Sequence, residues 1–212
     1  MAFDKTRIRR LPELAVEKRG QIEAILDEGF VCHVAYLVDD RPVVIPTLYA
    51  RDGDRVLLHG SQASGLMIAV KRGSSLSIAV TLVDGLVVAR SGFESSANYR
   101  SVVIHGTGRL LEGDEHERAL DVLVEALIPG RLADIRRPTT KELRKTAIIA
   151  VGLDEVSAKV HAGQPEDAES DLGTGVWAGV IPMGLAVGAP QPAPDLEPEV
   201  EIPDYLTGYR RS

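Results

Sequence analysis

The stretch 55-RVLLHGSQASGLMIAVKR-72 changes its periodicity halfway along, and that change decides how the rest of the chain is read. Val56, Leu57 and Leu58 form an apolar strand that breaks at His59-Gly60 into small and hydroxylated residues, Ser61, Ala63, Ser64 and Gly65. Leu66, Met67, Ala69 and Val70 then recur at helical spacing before the stop at Lys71-Arg72-Gly73. A strand that turns through small residues into a helix leaves backbone N–H groups without partners at one place, beside two serine hydroxyls. That combination suits a phosphate. The same pattern also serves as a plain serine N-cap on the helix.

Working outward from this stretch, the chain on its N-terminal side reads as a short amphipathic helix and a hairpin. Ile22, Ile25 and Leu26 are spaced for a helix that follows Leu11-Pro12 and ends at Glu28-Gly29. Phe30 to Val38 and Pro42 to Ala50 are strands joined at Asp39-Asp40, and Asp52-Gly53-Asp54 turns the chain into the Val56 strand. On the C-terminal side, Ser75 to Val83 is a strand that Asp84-Gly85 turns into Leu86 to Arg90. Arg90 to Ser101 reads as irregular, and a strand resumes at Val102 and runs to Leu111. A helix follows Gly113-Asp114 with Leu120, Leu123, Val124 and Leu127 on its apolar face. Thr139-Thr140-Lys141-Glu142 has the form of a capping box. Ala147 to Val151, Val156 to Val160 and Val176 to Pro182 are further strands. Many strands in hairpin order with few peripheral helices predict a mainly β fold, an antiparallel barrel. Residues 1–189 are read as one domain, and the prolines and acids of 190–212 as an extended arm.

Composition narrows the function classes. The 212 residues carry a formal net charge of -7, the wrong sign for a nucleic-acid binder, which needs a basic face. No apolar run is long enough to span a bilayer, so no membrane partner is expected. The N-terminal arginines are not followed by an apolar region, so no secretory signal is expected and the cytoplasm is the anticipated compartment. A single cysteine, Cys32, excludes an internal disulfide and reads as a buried, inert thiol. His33, His59, His105, His116 and His161 lack metal-ligand spacing, and no metal is expected. His33 and His105 lie in apolar strands and read as core histidines.

In combination, CHVAY (32–36), VVIPTLY (43–49), LLHGSQAS (57–64), VTLVDGLVVARSGF (80–93), NYRSV (98–102), LIPGR (127–131) and VWAGVIP (176–182) resemble the pyridoxamine 5'-phosphate oxidase-like superfamily. More narrowly, they resemble its flavin-nucleotide-binding branch, which includes nitroimidazole-resistance proteins. The resemblance implies a split β-barrel, a homodimer, and FMN at the dimer interface. It places the FMN phosphate near His59, Gly60, Ser61, Ala63 and Ser64, and the isoalloxazine ring against the backbone of Pro46 and Thr47. Asn98, Tyr99, Arg100 and Ser101 would form the other wall, with the Arg100 guanidinium available for a forked pair with phosphate. Lys159 is a second candidate for the phosphate. Trp177 is read either as a cover for the flavin or as filler of a core edge. Classical members follow the loop serine with Arg-Lys, where this chain has Gly65-Leu66, which argues against the vitamin substrate. Close relatives carry a His pair where Glu94-Ser95 stand here.

The expected function is that of an FMN-dependent oxidoreductase acting on a small molecule, with no catalytic residue assigned, because a flavin carries its own hydride chemistry. The alternative is a non-catalytic module of the same fold that binds or stores flavin, deazaflavin or haem. Haem would need an axial ligand from His59, His105 or His161.

Overall fold

The computed structural model describes residues 6–210. Pro12–Leu14 form one 3-10 turn ahead of α1 (Arg19–Glu28), which buries Ile22, Ile25 and Leu26 as their spacing requires. β1 (Val31–Val38) and β2 (Arg41–Asp52) pair from Val31↔Leu48 to Val38↔Arg41. Asp39 and Asp40 both have positive φ, as a tight two-residue hairpin turn requires and as aspartate tolerates. β3 (Arg55–Ser61) pairs with β2 only from Tyr49↔Leu58 to Asp52↔Arg55. α2 (Gly65–Lys71) follows, capped by Ser64, whose side chain accepts from Met67 N.

β4 (Ser75–Val88) corrects one expectation. Asp84-Gly85 is not a turn but a bulge inside one continuous strand, at which the register against β5 (Ser96–Thr107) shifts. Past the bulge β4 pairs with β9 (Gly179–Pro182) instead of β1. A Cβ on Gly85 would lie 3.0 Å from Ile181 O, so the glycine serves this close approach rather than a reversal. β5 also begins earlier than expected, at Ser96, because Ser96 to Ser101 continue the ladder along Val87 to Thr81 of β4. It stops at Thr107, and Gly108 separates it from the short β6 (Arg109–Leu110), which crosses to pair with β7 (Thr146–Gly152).

α3 (Gly113–Leu127) and α4 (Thr140–Lys145) form where expected, and Thr139 and Glu142 complete a capping box. β8 (Glu155–His161) pairs with β5. The sheet order is β6-β7-β3-β2-β1-β4-β5-β8, with β9 on β4. All pairs are antiparallel, so the mainly β expectation holds and the sheet curls into a split barrel.

The curl encloses one core, which includes Leu26, Cys32, Val34, Met67, Ile78, Ile104 and Ile149. A smaller core lies on the opposite side of the β3/β7 half, where α3 lays Ala119 and Leu123 over Ala50, Leu57 and Ile148. The arm is not extended to its end. α5 (Asp204–Thr207) forms one turn directly after Pro203, the last proline, and Tyr205 packs on Gly130. The Tyr205 hydroxyl meets Arg131 and Asp134, and Tyr209 donates to Leu127 O at 2.7 Å. Among the described residues, no helix is long and apolar enough to cross a membrane.

Candidate functional site

The barrel is split between β2 and β3. Their register joins residues whose numbers sum to 107, as in Tyr49↔Leu58, so a continued ladder would set Leu48 against His59, Thr47 against Gly60 and Pro46 against Ser61. The ladder stops instead at Tyr49–Leu58. Beyond it β2 keeps only β1, and β3 keeps only β7. Pro46 and Thr47 therefore stand on one lip, and His59, Gly60 and Ser61 on the other. An edge without a strand neighbour presents backbone donors and acceptors to whatever fills the gap.

The turn after β3 is held from within. Ser61 Oγ accepts from Ala63 N at 3.3 Å, Ser64 N donates to Ser61 O at 2.9 Å, and Ser64 Oγ caps α2 through Met67 N at 3.4 Å. The N-cap role of Ser64 is thus realised, and Ser61, Gln62, Ala63 and His59 lie exposed around it. Lys71 Nζ reaches the turn, donating to Gln62 O at 3.4 Å and Gln62 Oε1 at 3.0 Å. From sequence, Lys71 reads only as a helix stop. What would have marked it is its position at the far end of a two-turn helix, within a side chain's length of the loop that starts the helix.

The four residues on β5 are not gathered at this turn. Strands β2, β1 and β4 separate β5 from β3 in the sheet, and strand alternation sends the four to two faces. Asn98 is buried and pairs both amide atoms with Gly163. Tyr99 stacks on His161, their ring centres 6.1 Å apart. Ser101 lies opposite Thr81 and Lys159. The Arg100 guanidinium is engaged by two carboxylates: it donates to Asp84 Oδ1 and Oδ2 at 2.7 and 2.9 Å and forms a forked pair with Glu28. These partners hold its pKa above the usual arginine value, Glu28 first and Asp84 second. Lys159 Nζ donates to Arg10 O at 2.6 Å. Trp177 is 64% exposed, its ring over Gly179, so it fills no core edge.

The histidines depart from expectation. Cys32, Val34 and Tyr36 take the inner face of β1, which turns His33 outward and exposes it. His105 is also off the core, its Nδ1 2.8 Å from Ser77 Oγ. The core histidine is His116 on α3, 8% exposed, with Nε2 donating to Thr146 O at 3.0 Å. Cys32 is buried, and burial pushes its thiol up to about 12, which fits an inert side chain. No group of three or more potential metal-ligating side chains occurs among the described residues.

A large part of the outer sheet face is bare. Val31, Val44, Pro46, Leu48 and Val83 are exposed there, with His33 between Pro46 and Ala79 in register. Monomeric proteins rarely leave so many apolar side chains together in water.

Residues 18–160 match the model of the pyridoxamine 5'-phosphate oxidase family. The chain is similar to the FAD and haem binding protein from Mycobacterium smegmatis, with 37% identity, 92% of this chain and 98% of that one covered, and a TM-score of 0.88. It is similar also to the flavocytochrome Anf3 from Azotobacter vinelandii, with 36% identity, 99% and 98% covered, and a TM-score of 0.93. A candidate 5-nitroimidazole antibiotic resistance protein from Bacteroides thetaiotaomicron shares the fold at 21% identity, covering 69% of this chain and 86% of its own, with a TM-score of 0.59. No curated protein matched significantly. A family match over most of the barrel, with two near-full-length likenesses above one-third identity, settles the lineage: the chain belongs to the pyridoxamine 5'-phosphate oxidase family.

Proposed function

We propose that this chain is a flavin-binding redox protein of the flavocytochrome kind, working as a homodimer, with the flavin in the split between β2 and β3 and haem as a second group. The observation that carries the reading is the interrupted ladder. Of the six residues that would have paired across it, five, Pro46, Thr47, His59, Gly60 and Ser61, are ones that the family resemblance assigns to the flavin, and the sixth is Leu48. A flavin fits what the lips offer. Its pyrimidine edge needs donors and acceptors, which an unpaired strand edge presents, and its apolar end needs surfaces such as Leu48 and Pro46. Its phosphate would meet the Ser61–Ser64 turn, with Lys71 as the cation.

FAD is preferred to the FMN expected from sequence, because one of the near-full-length relatives is an FAD and haem binding protein. When bound, the flavin supplies hydride and electron transfer, and the chain's residues hold it and keep water from one side. Homodimer formation is supported by the bare outer face and by the separation of Asn98–Ser101 from the turn. If both belong to one site, the second wall comes from another copy.

The test is to denature the purified protein, identify the released flavin by chromatography, and titrate apoprotein with FAD and FMN. Tighter binding of FAD, with a band that bleaches on anaerobic reduction, is expected. Failure to take up either flavin would overturn the reading. Binding without turnover of any electron acceptor would favour the storage module.

A further inference from the structure

We infer that His161 is the axial ligand of haem in this chain, through Nε2. The inference rests on the flavocytochrome reading above and goes beyond it, because that reading leaves the iron ligand open and the sequence singles out three candidates, His59, His105 and His161, among five histidines.

A neutral imidazole binds iron through a nitrogen that holds a lone pair, and a ligating histidine characteristically donates its other ring N–H to a backbone carbonyl or carboxylate. His161 Nδ1 lies 2.8 Å from Ala97 O. A carbonyl can only accept, so Nδ1 carries the proton and the lone pair is fixed on Nε2. The ring is oriented a second time by Tyr99, its direct register partner on β5, stacked at an interplanar angle of 28°. His161 remains partly open to solvent at the end of β8.

The other four lack this combination. His116 is likewise held by a carbonyl, that of Thr146, but is buried beneath α3. His105 faces the Ser77 hydroxyl, which donates or accepts and so fixes no tautomer. His33 and His59 are exposed, and no hydrogen bond or ring contact among the described residues orients their rings.

The sheet beside His161 offers an aromatic ring and an exposed apolar side chain on the face that His161 shares. Val83, Tyr99 and His161 form one row across β4, β5 and β8, and Val83 is exposed. The next row is Thr81, Ser101 and Lys159, and the Lys159 ammonium donates to Arg10 O at 2.6 Å, a carbonyl it would have to leave to meet a haem carboxylate.

The experiment is titration of the full-length protein with hemin, followed by Soret absorbance and electron paramagnetic resonance, for wild type, His161→Gly, His161→Gln and His59→Gly. Loss of an outer-shell partner alone lowers metal affinity about 10–100-fold, so loss of the ligand is expected to cost about 100-fold or more. His161→Gly should lose the wild-type spectrum and regain it with added imidazole. His161→Gln, whose amide can still donate to Ala97 O, keeps the local fold and should also lose the spectrum. If both His161 variants bind hemin like wild type while His59→Gly does not, the assignment is overturned and the flavocytochrome reading stands. If wild type takes up flavin but not hemin, the haem part of that reading fails, and this inference with it.

Discussion

Two halves of one sheet face are treated differently, and β2 passes through both. Its outward residues are Val44, Pro46, Leu48 and Ala50. Ala50 is buried beneath α3 together with Leu57 and Ile148, whereas Val44, Pro46 and Leu48 are exposed. The side chains are similar in kind, so burial here is decided by what the chain lays over the strand and not by the strand's own pattern. Where the chain supplies its own cover, the face is a second core that serves stability. Where it supplies none, an apolar surface remains next to the split and calls for a partner.

The largest effect should come from the covered half. Leu57 is fully buried between β7 and α3, and Leu57→Ala should cost about 2–5 kcal/mol in urea unfolding, through lost transfer energy and the cavity left behind. A cost below about 1 kcal/mol would mean that α3 does not seal this face, and the contrast with the bare half would lose its basis.

Arg100 comes next. It ties the end of α1 to the β4 bulge through Glu28 and Asp84, and its side chain is 29% exposed. Removing it leaves two carboxylates facing one another, which at partial burial should cost about 1–3 kcal/mol. The same variant separates a structural arginine from a phosphate ligand. Arg100→Ala should leave FAD affinity within about twofold, whereas Lys71→Ala should weaken it about tenfold, as loss of a charge-assisted contact does. The reverse order would put the flavin phosphate on β5.

A smaller effect, visible through pH, concerns how the cover is fastened. Glu115 on α3 accepts from Arg109 of β6 and from Arg55 of β3. The Arg109 bond first and the Arg55 bond second lower its carboxyl from 4.5 to about 2. A folded-state value below the unfolded one means that the contribution is complete above about pH 4.5 and fades as pH falls through about 2. Glu115→Gln should therefore lower the melting temperature at neutral pH by a small amount, and the difference from wild type should fade as pH falls through about 2. A difference that persists there would show that packing, not charge, fastens α3.

The legibility of the sequence follows the same division. Alternation and helical spacing announced β1, β2, β3, α1, α2 and α3, because each answers to its own local pattern. The β4 bulge did not announce itself, because Asp-Gly is a turn signal unless another strand, here β9, approaches the glycine from far along the chain. His33 misled for a related reason. Its strand is apolar on both faces, so hydrophobicity alone does not say which face is inside. The strand-to-helix turn shows in the small residues from Gly60 to Gly65, whereas the setting of Arg100 does not show in any local pattern. Its partners Glu28 and Asp84 lie 72 and 16 residues away, and no spacing rule joins them.

The smallest effect on stability should come from the bare half, and it tests the comparison most directly. Val44 is 60% exposed, so Val44→Lys buries no charge in the isolated chain and should change its unfolding free energy by no more than about 0.5 kcal/mol. If two copies meet through this face, the same lysine must be desolvated in the pair, and its register partner on β1, Ala35, offers no carboxylate to receive it. A charge so placed costs far more in the pair than in the chain. Light scattering should then find wild type as a dimer and the variant as a folded monomer. A variant that remains dimeric with wild-type stability would show that the bare face is covered by something other than a second copy, and would return Asn98–Ser101 to a site of their own.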